Sequence, residues 1–132
     1  MPQDGLITLS SRYPARDTMD RLLAAIAKRN MTGFARIDHA AGDVSAGLSL
    51  RPTEVVIFGN PKGGTALMQD RQSAGIDLPL KALAWQDADG KVWLSYNDPT
   101  WIAQRHGLGA ASAGAVEAMA KALAAIAAEV TT

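Results

Sequence analysis

Large apolar residues recur along this chain with two periods, and the period assigns the elements. Residues 5–10 (GLITLS) form a short strand-like run, bounded by Asp4-Gly5 and by Arg12-Tyr13-Pro14. Across residues 17–30, Met19, Leu22, Leu23 and Ile26 fall at i, i+3, i+4 and i+7, one face of a helix. Asp17 or Thr18 can cap its start, Lys28 and Arg29 suit its C-terminal dipole, and Gly33 ends it. Residues 33–39 alternate Ala35, Ile37 and His39 against Phe34, Arg36 and Asp38, which predicts a second strand. Residues 40–50 read as a short helix running into an irregular link that ends at Arg51-Pro52. Residues 53–59 (TEVVIFG) are β-branched and apolar, the composition of a buried strand. Asn60-Pro61-Lys62-Gly63-Gly64 then breaks the chain before a short helix over residues 65–73.

The clearest local unit spans residues 80–97. Asp89-Gly90 suits a two-residue hairpin loop, whose central positions both need positive φ. That loop pairs Ala88 with Lys91, Gln86 with Trp93, Trp85 with Leu94 and Leu83 with Tyr96. Leu83, Trp85, Val92, Leu94 and Tyr96 then form the core side, with Trp93 on the wetter one. Asp98 followed by Pro99 starts a short helix that stops at Gly107. Residues 111–130 form a long helix with a narrow stripe of Val116, Met119, Leu123, Ile126 and Val130. Its flanking alanines permit close approach, to the protein's own sheet first and to a second copy otherwise.

Composition bounds what this framework can be. A chain of 132 residues fits a single domain over 1–132 with a core of ordinary size. The 48% hydrophobic content includes 25 alanines, so the core is not unusually apolar. Thirteen basic residues balance thirteen acidic ones, which argues against nucleic acid as a partner. The absence of cysteine removes thiolate chemistry, Cys-based metal sites and disulfides. No run is apolar enough for a membrane span or a signal peptide, so a cytoplasmic, non-membrane protein is expected.

Few groups carry candidate chemistry. The turn from Gly59 to Thr65 joins a strand to a helix but lacks the spacing of a phosphate loop. Amides near Gly63, Gly64 and Thr65, with Lys62 beside them, could hold a small anion or carboxylate; equally, the glycines serve a turn and Thr65 a cap. His39, on the strand face of Ala35 and Ile37, could act as a general base or sit satisfied in the core. His106 reads as a C-terminal helix cap and Asp98 as an N-cap. With two distant histidines, no metal is expected, and no nucleophile elbow occurs. No cofactor is implied.

The run from Arg51 to Pro61 (RPTEVVIFGNP), Gly64-Thr65 with Leu67-Met68, Asp77-Leu78-Pro79-Leu80 and the run from Gly90 to Pro99 (GKVWLSYNDP) resemble the bacterial and archaeal domain of unknown function 302 family. Asp38-His39-Ala40-Ala41-Gly42 is similar to its upstream signature, and the resemblance covers about residues 5–125. It implies an α+β fold in which helices pack on one face of a curved antiparallel sheet. The arrangement is TATA-binding-protein-like, β-α-β(4)-α with extra short helices, and tends to form homodimers. The family's recurrent polar positions fall here on His39, Asn60, Pro61, Lys62, Gly64, Thr65, Tyr96 and Asn97. No reaction comes with the resemblance. The first expectation is therefore a dimeric domain binding a small polar or anionic metabolite at His39, Asn60, Lys62, Gly63, Gly64 and Thr65, with Tyr96 and Asn97 at its wall. The alternatives are an interaction module without chemistry, and an enzyme with His39 as base and Asn60 or Lys62 stabilising negative charge.

Overall fold

The computed structural model describes residues 4–132. In chain order the elements are β1 (Leu6–Ser11), α1 (Ala15–Lys28), β2 (Thr32–Asp38), α2 (His39–Ser45), β3 (Thr53–Gly59), α3 (Pro61–Asp70), a 3₁₀ turn (Gln72–Ile76), β4 (Leu80–Gln86), β5 (Val92–Asn97), α4 (Pro99–His106) and α5 (Ala113–Thr131). The strands form one antiparallel sheet in the order β1-β5-β4-β3-β2. This is the expected α+β class.

The core lies between one sheet face and two helices. Met19, Leu22 and Ile26 of α1, with Leu123, Ile126 and Val130 of α5, meet Val56, Phe58, Ala82, Ala84, Leu94 and Tyr96. The helical stripes read from sequence are therefore buried, apart from Leu23 and Met119, which are only partly covered. α5 packs on α1, α3, α4 and the edge strand β1, so its neighbours are mostly helices. A smaller apolar cluster joins Leu67 of α3, Ala74 and Val116 of α5.

Four local expectations are corrected. α1 begins at Ala15, behind Pro14, with no side-chain cap. Thr18 is instead buried, its hydroxyl bonded to Ser11 Oγ at 2.7 Å and to the Pro14 carbonyl at 3.0 Å. β2 stops at Asp38, whose Oδ1 accepts from the Ala41 amide, so His39 is the first residue of α2 and stands exposed. α3 begins at Pro61 rather than Thr65, because Asn60 caps it by accepting from the Lys62 amide at 3.0 Å.

The fourth correction is the hairpin. Gly90 N–H donates to the Asp87 carbonyl, Asp87 N–H donates to the Lys91 carbonyl, and Gly90 takes φ 83°. This is the longer loop closed by a left-handed glycine, and it pairs Gln86 with Val92, Trp85 with Trp93 and Ala84 with Leu94. A one-residue slip reverses a strand's facing. Ala82 and Ala84 consequently face the core, and Leu83 and Trp85 join Trp93 on the opposite side. The Asp87 carboxylate holds the loop, accepting from Trp93 Nε1 and from the Asp89 and Lys91 amides, each at 2.9 Å. Those bonds, the indole's first, hold its pKa below the ordinary carboxylate value.

The edge strand β2 is tied down by charge. Arg36 donates from Nε to Glu54 at 2.8 Å and from Nη1 to Asp20 of α1 at 2.6 Å. Glu54 is buried, and its hydrogen bond is the main reason the Arg36 pKa is raised. The guanidinium thereby supplies the counter-charge a buried carboxylate requires.

Candidate functional site

A pocket of about 500 Å³ lies between α3 and α5. Its floor is the end of β3 and the start of α3: Gly59, Asn60, Pro61, Gly63, Gly64 and Thr65. The walls are Met31 and Phe34 from the β2 side, Met68, Leu78 and Pro79, and Ala115, Ala118, Met119 and Ala122 of α5. β3 delivers its last residues here because Asn60 and Pro61 turn the strand directly into a helix.

The glycines in α3 set the depth of this pocket. A Cβ at Gly63 would lie 3.0 Å from the Met119 methyl, and one at Gly64 would touch Leu78 and Met68. Their bare backbone lets the first turn of α3 sit close to α5. The α5 wall is a spaced set of alanines that leaves room opposite Phe34, which is half exposed. The lining is thus apolar, softened by three methionines, with Asn60 and Thr65 as its polar side chains.

Four of the residues singled out from sequence meet at this pocket: Asn60, Gly63, Gly64 and Thr65. The other four do not line it. His39 is on the surface at the start of α2, and Lys62 is exposed on the first turn of α3. Tyr96 belongs to the core against α1 and α5, where burial first, and the Asp98 charge second, raise its phenol pKa. Asn97 ends β5 on the open sheet face, opposite Leu6. The eight residues therefore do not all meet at this pocket. The amides also differ from the anion cradle first considered. Lys62 N–H is bonded to the Asn60 side chain and Gly64 N–H to the Asn60 carbonyl.

Sequence reasoning assigned none of Met31, Phe34, Leu78 and Pro79 to a site, because they come from stretches distant in the chain from the Asn60–Thr65 turn. Met119 stood on a stripe read wholly as core. His106 is also more than a cap: its ring bridges Asp77 and Ser73.

The family model described as domain of unknown function DUF302 matches residues 7–126. Among curated proteins, a fluoride-specific ion channel FluC 1 of Brucella suis biovar 1 (strain 1330) is 53% identical over 115 residues, 87% of this chain and 45% of that protein. A fluoride-specific ion channel FluC 1 of Brucella abortus biovar 1 (strain 9-941) is also 53% identical, over 87% of this chain and 43% of its own length. The chain spans less than half the length of the curated relatives it matches. The crystal structure of an uncharacterized conserved DUF302 protein from Bacillus stearothermophilus has the same fold. Its TM-score is 0.84 at 17% identity, over 96% of this chain and 98% of that one.

Proposed function

The chain belongs to the family of domain of unknown function DUF302, and on that footing we propose that it is a small-ligand-binding domain whose ligand seats between α3 and α5. One observation carries the reading: an apolar pocket of about 500 Å³ with Asn60 and Thr65 as its polar side chains. Binding sites for small molecules have this make-up, a mostly apolar enclosure with a few placed polar groups. The lining favours a molecule with an apolar body and one polar end over a fully charged metabolite. No described helix is long and apolar enough to cross a membrane. In the longer relatives named as fluoride channels, we propose that the matching stretch is an appended ligand-sensing domain, the ion path lying in the remainder.

The test uses 1-anilinonaphthalene-8-sulfonate, which has an apolar body and one charged end. Wild-type protein is expected to enhance its fluorescence saturably. Ala118→Trp, which fills the pocket from an exposed position of α5, is expected to weaken binding roughly tenfold or more, a loss of about 1.4 kcal/mol. Equal affinity in the folded variant removes the pocket from consideration.

A second reading rests on the sheet face turned away from α1 and α5. Leu6, Ile37, Val55, Leu83 and Trp85 lie on it, with Leu6 and Ile37 more than 40% exposed. Such a patch suits association. We propose that a second copy covers it across a two-fold axis, forming a homodimer. Light scattering should then give twice the chain mass for wild type and the chain mass for Leu83→Glu. A single-chain mass for wild type at every concentration overturns this reading.

A further inference from the structure

A cluster apart from the pocket has the arrangement of an activated nucleophile. His106, the last residue of α4, has a side chain only 7% exposed. Its Nε2 lies 2.6 Å from Asp77 Oδ2, and its Nδ1 lies 2.9 Å from the hydroxyl of Ser73 in the 3₁₀ turn. Ser73 itself is exposed. Arg105 completes the group: its Nη1 donates to both Asp77 oxygens, at 2.9 and 3.0 Å.

With His106 as the neutral imidazole, these contacts assign the direction of each proton. A carboxylate engaged by a guanidinium at both oxygens has only acceptors to offer, so the hydrogen in the Asp77–His106 contact sits on Nε2. Neutral imidazole carries one N–H, which leaves Nδ1 a bare acceptor. The Ser73 hydroxyl must then be the donor. This is the relation of serine, histidine and aspartate in hydrolytic triads, which are recognised by geometry and roles and not by chain order. Here the ring nitrogens are exchanged, with the serine on Nδ1.

We propose that Ser73 is a nucleophilic serine, with His106 as its general base and Asp77 as the positioning residue, acting on small carboxylic esters that reach the surface of the 3₁₀ turn. In the first step the Ser73 oxygen bonds to the ester carbonyl carbon as its proton passes to His106 Nδ1. The bond to the leaving oxygen breaks, and that proton moves to the departing alcohol. Water then adds to the acyl-serine by the same route, releasing the carboxylic acid and restoring the hydroxyl. None of the three residues lines the α3–α5 pocket, so this proposal stands or falls separately from ligand binding there.

The probe is a fluorophosphonate carrying a reporter dye, with the labelled site read by peptide mass spectrometry. Wild-type protein is expected to label at Ser73 in preference to its other serines, and Ser73→Ala to lose the label. Asp77→Asn preserves the shape but permits the opposite imidazole tautomer. Its labelling rate is expected to fall roughly 100-fold, while circular dichroism still reports a folded chain. His106→Gln is expected to behave alike. No label at Ser73 in wild type, or an undiminished rate in folded Asp77→Asn, overturns the proposal and leaves the cluster a structural tie between the 3₁₀ turn and α4.

Discussion

Replacing Phe58 by alanine is expected to lower the unfolding free energy by about 3–5 kcal/mol, a large share of the ~5–15 kcal/mol that holds a typical domain together. Phe58 is wholly excluded from solvent, near the end of β3, and meets the α1 and α5 side of the core. Its removal forfeits the transfer of the ring from water and leaves a void that the sheet and two helices cannot close. Ile57 is the informative comparison, because it is equally apolar and one residue away. It faces the open side of the sheet and is half-buried. Ile57→Ala is therefore expected to cost about half as much or less. Urea titrations of the two variants measure the difference, and equal losses would contradict the facing assigned to β3.

Gly5→Ala is expected to be nearly as damaging, for a different reason. Gly5 takes φ 78°, and an added Cβ would stand inside the van der Waals envelope of the Trp101 indole. Its carbonyl also accepts from the Asp98 amide at 2.7 Å, which anchors the start of α4 beside β1. The left-handed backbone alone costs an alanine about 1–2 kcal/mol. Displacing an indole that packs on this glycine adds a comparable amount. Gly90 supplies the control: it takes φ 83° but has open space where its Cβ would go. Gly90→Ala should then pay only the backbone cost. The expected melting temperatures fall by roughly 10 °C for Gly5→Ala and by about half that or less for Gly90→Ala. Indistinguishable losses would mean that the Trp101 contact contributes nothing.

The elements that could be read from sequence are those whose signals are local. Asp98 accepts from the Thr100 amide, Pro99 follows it, and Gly107 closes α4 at φ 66°, as the residue types require. The α1 face of Met19, Leu22 and Ile26 is likewise a property of one helix. The hairpin shows where local reasoning stops. Asp89-Gly90 marks a turn in either register, and the choice belongs to the Asp87 carboxylate, which gathers Trp93 and the loop amides. In β4 the wrong register looked attractive because Leu83 and Trp85 are larger than Ala82 and Ala84. Close packing of helices on that face requires the small residues instead.

The candidate sites divide the same way. Asn60, Gly63, Gly64 and Thr65 are neighbours in the chain, so their meeting at the pocket floor was legible. Phe34, Leu78 and Met119, which make that floor into a pocket, reach it only through β2, the approach to β4 and α5. Ser73, Asp77 and His106 carry no shared spacing signal, since they lie on two separate stretches and His106 has an ordinary place at a helix end. What the sequence determined by itself was the helical stripes of α1 and α5 and the two ends of α4, because these depend on residues a few positions apart, while the α+β class came through the family resemblance. What only the tertiary structure decided was which sheet face is buried, which residues enclose a cavity and which proton partners meet. Those outcomes depend on contacts between distant segments, and burial and hydrogen bonding select among registers that the local pattern leaves equal.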